Sequence, residues 1–196
     1  MIRYGKETDK ETLKQLWKFC FPEDSERFIN FYFTYVYKNV ETLVFIENDL
    51  PIASLQMISY KIKKVREILK AGYISGAMTH PDYRKKGYMA KLLQASFDEM
   101  IKKGYDYVFL IPQEAELIQM YEKYGFRLCE PTPEYIQNKV LKSPEQWSNI
   151  QQAFYDENGF WLVEEPFVPN EQKGMIKRLN PNAEEITTLY MGMMLD

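Results

Sequence analysis

Apolar residues along the first part of the chain recur with the spacing of two helices. Steps of three and four residues place the apolar positions of each segment on one buried helix face. Thr8 and Glu11 resemble a capping box at the start of the first helix, Pro22 ends it, and Ser25 caps the second. A short strand at residues 2–5 precedes both. The apolar faces comprise Leu13, Leu16, Trp17 and Cys20, then Phe28, Phe31, Tyr32, Tyr35 and Val36.

The spacing then changes to that of strands. Three strand-like runs separated by short turns predict an antiparallel meander. A helix that ends at Gly104, a compact apolar strand, a second helix that ends at Gly125 and the start of a further strand follow. The predicted strands are 42–46, 52–62, 67–79, 105–111 and a strand beginning at 126–129, and the predicted helices are 89–101 and 114–124.

Prolines break residues 131–196 into short pieces. Because large aromatic side chains in this region need burial, we expect it to pack on the first part of the chain. The predicted organisation is a core at residues 1–130 and a C-terminal extension at 131–196. Within the extension we predict strands near 134–141, at 159–163, at 175–179 and at 187–195, and a helix near 144–155.

Composition excludes several classes of function. A net charge of −3 and a pI of about 5.4 argue against a dedicated nucleic-acid binder. No apolar run approaches the ~20 residues that span a bilayer, so we expect no membrane segment and a cytoplasmic location. His80 is the only histidine and Cys20 and Cys129 are the only cysteines. We therefore expect reduced thiols and no metal site.

A basic turn joins the third strand of the meander to the next helix. Its residues, Arg84 to Ala90, place three cations and Gly87 just before the helix start. The first amides of a helix have no intrahelical partner, and the helix dipole adds partial positive charge there. This arrangement predicts a phosphate-binding turn. The alternative is a surface run of solvated charge.

Two motifs together resemble the GCN5-related N-acetyltransferase (GNAT) superfamily. One is the segment from Thr79 to Met89, and the other is Tyr121-Glu122-Lys123-Tyr124-Gly125-Phe126. In that superfamily a basic x-x-Gly-x-Gly/Ala loop between the fourth strand and a helix holds acetyl-coenzyme A. Met89 stands where many members have a second glycine. In this respect the chain is more similar to the branch containing the enhanced-intracellular-survival acetyltransferases, which also carry a bulky residue there.

The resemblance implies an α/β (α+β) fold, with a mixed, mostly antiparallel sheet flanked by helices and a β-rich C-terminal extension. It also implies acetyl-coenzyme A as co-substrate and Tyr121 as general acid, with Tyr124 as the fallback. The general base stays open among Glu114, Glu116 and the carboxylate of Asp196, with little weight on His80. The implied coenzyme-binding residues are Ala77, Met78, Thr79, Arg84, Lys85, Lys86, Gly87, Tyr88, Met89 and Ala90.

The expected reaction is direct attack of a primary amine on the acetyl group in a ternary complex. The acceptor is a small molecule or an exposed amino group, and the protein is a monomer or a homodimer. An aromatic wall from the first two helices suits a cationic acceptor through cation–π contacts. The alternatives are a catalytically silent coenzyme-binding regulatory domain and an interaction protein whose basic loop is only surface. The wall comprises Trp17, Phe21, Phe28, Phe31, Tyr32 and Tyr35.

Overall fold

The computed structural model describes residues 1–63, 67–129, 139–141, 174–187 and 189. The helix predicted near 144–155 and the strand predicted at 159–163 lie outside these residues. Most of the strand predicted at 187–195 also lies outside them.

Eight strands of the described residues form one sheet, in the order β1-β2-β3-β4-β5-β8-β6, with β7 pairing with β3. All the pairings whose direction is defined are antiparallel except that of β4 with β5, which is parallel. The mixed, mostly antiparallel sheet predicted from the sequence is therefore confirmed. The strands are β1 (Ile2–Tyr4), β2 (Thr42–Glu47), β3 (Leu50–Lys63), β4 (Ile68–Thr79), β5 (Tyr107–Leu110), β6 (Arg127–Leu128), β7 (Lys139–Leu141) and β8 (Met175–Arg178).

Four α-helices lie in the described part of the chain. The first, third and fourth agree with the predicted helices, with small shifts at the ends. Each carries at least one buried apolar or aromatic side chain on the face that the three- and four-residue spacing predicts. The helices are α1 (Lys10–Cys20), α2 (Glu26–Phe31), α3 (Tyr88–Lys102) and α4 (Ala115–Glu122).

The start of α1 differs from the prediction. A short 3₁₀ turn, Glu7–Asp9, precedes the helix, and Thr8 lies inside that turn. The Asp9 carboxylate accepts a hydrogen bond from the backbone N–H of Lys6 at 2.8 Å and is also bound by both terminal nitrogens of Arg3. The predicted Thr8–Glu11 capping box was wrong: α1 begins after Asp9, whose carboxylate binds Arg3 and the Lys6 amide and none of the helix amides.

The second predicted helix is also changed. It starts as expected, with the Ser25 hydroxyl accepting from the Phe28 amide at 3.1 Å, but it continues as a π-helical turn over Tyr32–Val36. The wider π turn moves later side chains off the face that a regular helix would present. Tyr35 is consequently exposed, whereas Phe31 and Tyr32 are buried.

The chain divides into two compact units. Among described residues, unit 1 consists of Met1–Ile58 and Ile74–Glu99, and unit 2 of those within Ser59–Tyr73, Met100–Ser148 and Phe160–Asp196. Each unit has its own buried apolar side chains. Those of unit 1 include Leu13, Leu16, Phe31, Phe33, Val44 and Leu55, and those of unit 2 include Ile62, Met100, Tyr107, Phe109 and Phe126.

Residues beyond 130 supply part of the sheet in unit 2. The strand predicted at 175–179 is present as β8, which lies between β5 and β6. Asp106 fixes this arrangement, since its carboxylate accepts from the Lys70 amide at 3.0 Å and from the Asn180 side chain at 2.9 Å. The proposed boundary between a core and an extension at residue 130 stays a prediction.

Candidate functional site

The predicted phosphate-binding turn begins where β4 ends. The His80 amide donates to the carbonyl of Ile52 at 2.9 Å, and a 3₁₀ turn follows at Pro81–Tyr83. The Nδ1 of His80 accepts from the Asp82 amide at 3.3 Å, so this imidazole caps the turn. That contact gives His80 a local structural role at the entry to the basic loop.

Arg84 is held against the end of β4. Its Nε donates to the Thr79 carbonyl at 3.1 Å, and its Nη2 lies 3.7 Å from the Cys20 sulfur. Cys20 itself donates to the same carbonyl at 3.5 Å. The loop is therefore tied both to the strand before it and to the end of α1, while the role of Arg84 in phosphate binding stays a prediction.

The backbone of the loop turns through two left-handed residues. Lys85 has φ +61° and Gly87 has φ +78°. A Cβ built on Gly87 would meet no atom of the described residues within 4 Å, so they leave the space in front of this glycine open. A ligand oxygen can therefore approach the Gly87 backbone closely.

Helix α3 begins directly after Gly87. The Lys91 amide makes the first bond of the helix, to the Gly87 carbonyl at 3.2 Å. Within the described ranges, the amides from Lys85 to Ala90 have no hydrogen-bond partner. These six consecutive donors, in the loop and the first turn of the helix, form an anion-binding arrangement.

Positive charge surrounds these amides. The side chains of Arg84, Lys85 and Lys86 are exposed, and the Lys86 ammonium lies 5.0 Å above the Tyr83 ring. Tyr88, Met89 and Ala90 are half-buried. A hydrogen bond to Glu47 raises the pKa of Tyr88, whose ring also packs 4.6 Å from that of Phe45.

The last residues of β4 lie beyond its pairing with β5. The parallel register covers Ala71–Tyr73 of β4, so in the described structure the predicted coenzyme-binding segment Ala77–Thr79 has no β5 partner. Met78 is buried, and Ala77 and Thr79 are half-buried. Gly76 just before them has φ +54°, and a Cβ there would lie 2.9 Å from the Trp17 ring. Trp17 therefore packs directly on the backbone of this strand end.

Four members of the predicted aromatic wall form one cluster. The Trp17 ring centre lies 4.5 Å from that of Tyr32, 5.0 Å from that of Phe21 and 6.4 Å from that of Phe28. Phe31 pairs instead with the exposed Tyr35 at 5.2 Å. The structure thus brings together only the part of the wall near the end of α1.

Tyr121, the predicted general acid, lies near the end of α4 with 7 % of its surface exposed. Desolvation by burial raises the pKa of its phenol to about 12. The ring packs against Phe126 with centres 5.7 Å apart. No residue in the described part of the chain hydrogen-bonds to the Tyr121 hydroxyl.

Two of the three predicted bases lie in the described part of the chain. Glu114 and Glu116 are exposed at the start of α4, and Asp196 lies outside the described residues. The fallback acid Tyr124 is half-buried, and its carbonyl accepts from Lys177 at 2.6 Å.

Among the described residues, no cluster of three His, Cys, Asp or Glu side chains is placed to hold a metal ion. The helices described here include none long and apolar enough to cross a membrane.

Sequence reasoning missed three contacts beside these residues. Cys20 was placed on a buried helix face, but its contact with Arg84 had no sequence signal. Asp24 accepts from the Trp17 indole N–H at 2.6 Å, and Ser75 hydrogen-bonds to the Tyr32 hydroxyl at 2.8 Å. Only Asp24 could have been suspected, as an acidic turn residue between two aromatic-bearing helices.

A family model described as an acetyltransferase (GNAT) domain matches residues 1–129. No curated protein sequence matches the chain. Solved structures that match it share its fold. A GCN5-related N-acetyltransferase from Anabaena variabilis is 16 % identical with a TM-score of 0.58, over 66 % of this chain and 32 % of that one. This chain therefore spans about one third of that protein.

Two further solved structures cover more of this chain. Eis1 from Mycobacterium abscessus is 10 % identical with a TM-score of 0.63, over 81 % of this chain and 48 % of that one. A GNAT family N-acetyltransferase (YhbS) from Escherichia coli, in complex with CoA, is 17 % identical with a TM-score of 0.60. That match covers 96 % of this chain and 87 % of the other. At these identities the likeness shows the fold alone.

Proposed function

Because the chain belongs to the GNAT acetyltransferase family, we propose that it moves an acetyl group from acetyl-coenzyme A to a primary amine. The amine attacks the thioester directly in a ternary complex. The C–N bond forms and the C–S bond breaks, the amine loses a proton, and the leaving thiolate gains one. The chain's own residues bind the coenzyme, polarise the carbonyl and supply the second proton.

The row of amides at the start of α3 that have no partner among the described residues carries the proposal. The amides of Lys86 to Ala90 accept the coenzyme pyrophosphate, and the open space in front of Gly87 admits its oxygens. Of the three loop cations, Arg84 is bound to Thr79 and Lys86 lies over Tyr83, so Lys85 is the one that we assign to the pyrophosphate. Lys85 has no charged or aromatic partner among the residues described here.

The end of β4 holds the reacting part of the coenzyme in this proposal. Backbone groups of Ala77, Met78 and Thr79 that lack a β5 partner bind the pantetheine and acetyl group. An amide from this segment polarises the thioester carbonyl as negative charge develops on its oxygen. Such a donor typically lowers the barrier by about 3 kcal/mol.

Tyr121 protonates the leaving thiolate. Its pKa of about 12 keeps the phenol protonated at neutral pH. Against a free thiol of pKa about 8.5 the transfer is uphill by roughly 5 kcal/mol. Desolvation also raises the pKa of a thiol, which narrows this difference when the thiolate forms in a dry site. The proton that the amine loses goes to water, directly or through an exposed carboxylate such as Glu114 or Glu116.

Tyr121→Phe tests the catalytic half of the proposal, because it removes the hydroxyl and keeps the buried ring. We expect kcat to fall by roughly 10²-fold, with the dissociation constant of acetyl-coenzyme A unchanged. Thiol release in an amine panel measures kcat, and calorimetry measures the dissociation constant of acetyl-coenzyme A.

Tyr124→Phe is the matched control, since it removes a half-buried phenol from the same segment. Its kcat should stay near that of the parent chain. A larger loss in Tyr124→Phe than in Tyr121→Phe would transfer the acid role to Tyr124. Tight coenzyme binding without turnover on any amine would instead favour the regulatory-domain alternative.

A further inference from the structure

The end of α1 and the turn after it combine aromatic faces with one carboxylate. We call the rings of Trp17, Phe21, Phe28 and Tyr32, together with the Asp24 carboxylate, the Trp17 cluster. Trp17 and Tyr32 are buried, whereas Phe21, Phe28 and Asp24 are half-buried, so the cluster has an accessible side. All five residues belong to unit 1.

Asp24 is positioned but not neutralised. The Trp17 indole N–H donates to its Oδ2 at 2.6 Å, which fixes the carboxylate at the edge of the rings. In the described part of the chain Asp24 has no cationic partner. The nearby cation Lys18 is paired with Glu26 at 2.8 Å. A carboxylate with aromatic faces beside it is suited to a ligand cation.

The cluster is joined to the strand end that is proposed to hold the acetyl group. Trp17 packs on the Gly76 backbone, and the Tyr32 hydroxyl bonds to Ser75 at 2.8 Å. Gly76 precedes Met78 by two residues, which is about 7 Å along a strand. A cation bound at the cluster would therefore lie several bonds away from a nitrogen that attacks the acetyl carbonyl.

The distance between the Trp17 cluster and the end of β4 determines which nitrogen of the acceptor the cluster binds. A carboxylate and aromatic faces stabilise an ammonium ion and raise its pKa. The attacking nitrogen must be neutral, so such surroundings would slow its reaction. The cluster suits a second cationic group that stays protonated throughout.

We propose that the acceptor is a diamine or polyamine whose second ammonium binds at the Trp17 cluster. One nitrogen takes the acetyl group, and the other is held by Asp24 and the faces of Phe21 and Phe28. This inference rests on the proposed function and names the substrate class of that same site.

The test compares 1,4-diaminobutane with n-butylamine, which lacks the second ammonium. In the parent chain we expect kcat/KM to be at least about tenfold higher for the diamine. Asp24→Asn keeps an oxygen that can accept from Trp17 but removes the charge. It should raise KM for the diamine about tenfold and leave KM unchanged for butylamine and acetyl-coenzyme A.

Two further variants sharpen the result. Phe28→Leu keeps an apolar side chain but removes the ring, and it should raise KM for the diamine roughly fivefold. Glu23→Gln removes an exposed acid from the same turn and should change neither amine. Equal effects of Asp24→Asn on both amines, or no preference for the diamine, would overturn the inference while acetyl transfer stands.

Calorimetry with 1,4-diaminobutane and free coenzyme A gives a readout that needs no turnover. Saturable diamine binding that Asp24→Asn weakens about tenfold supports the cluster as a cation site, even if no amine is acetylated. In that case the proposed acetyl transfer fails and the binding site stands. Diamine binding that Asp24→Asn does not change overturns the inference.

Discussion

Helix α3 is bounded by two glycines with similar backbones and different surroundings. Gly87 before the helix has φ +78° and Gly104 after it has φ +70°, and in the described part of the chain a Cβ on either would meet no atom within 4 Å. At the C-terminal end, Gly104 and Tyr105 donate to the carbonyls of Ile101 and Met100 at 3.0 Å each. That end is closed by its own hydrogen bonds.

The N-terminal end is left open by contrast. Its amides from Lys85 to Ala90 have no partner in the described residues. Lys85 also has φ +61°, a conformation that costs a residue with a Cβ on the order of 1 kcal/mol. A glycine with positive φ therefore does not identify a binding site by itself. The open donors and the strained backbone beside Gly87 distinguish the end that we propose to bind the coenzyme.

Charge reversal should produce the largest difference in coenzyme affinity between the two ends of α3. Lys85→Glu with Lys86→Glu replaces exposed cations beside the open amides with carboxylates. We expect it to weaken acetyl-coenzyme A binding by at least about tenfold, because each carboxylate repels the pyrophosphate. Calorimetric dissociation constants measure the effect.

Lys102→Glu with Lys103→Glu is the control at the closed end of the same helix. It makes the same change in net charge, so a general electrostatic effect would appear in both double variants. We expect its coenzyme affinity to match the parent chain. Equal weakening in the two would count against the assigned loop.

Replacement of the two glycines should give a smaller difference in coenzyme affinity. Gly87→Ala and Gly104→Ala both place a Cβ in open space at positive φ, so each should lower the free energy of unfolding by about 1 kcal/mol. Only Gly87→Ala should weaken the coenzyme, roughly fivefold, because its Cβ lies beside the donors. Denaturant unfolding measures the stability change, and calorimetry measures the affinity. Loss of affinity in Gly104→Ala alone would reverse the comparison.

Much of the fold was predictable because each segment has a clear apolar period. The helical spacing located α1, α3 and α4, and the loop before α3 was identified by its cations and Gly87. The π-helical turn at Tyr32–Val36 was not predictable, because a change in hydrogen-bond register leaves the apolar residues in place. The turn before α1 was also missed, since Asp9 in it pairs with Arg3, a residue of another element.

The candidate site was predictable in its residue types more than in its contacts. The sequence motif located Tyr121, but the rise of its pKa to about 12 depends on burial by the folded chain. Likewise, three adjacent cations look alike in the sequence. Only the structure separates Arg84, held by Thr79, and Lys86, placed over Tyr83, from Lys85.

Backbone amide hydrogen exchange with and without coenzyme A is the most direct test of the anion site at the start of α3. Bound pyrophosphate would give the amides of Lys86 to Ala90 the partners that they lack in the described structure. We predict strong new protection in this segment and unchanged exchange at Gly104 and Tyr105, which are already hydrogen-bonded. Protection that appears elsewhere, with residues 86–90 exchanging as before, would contradict the account.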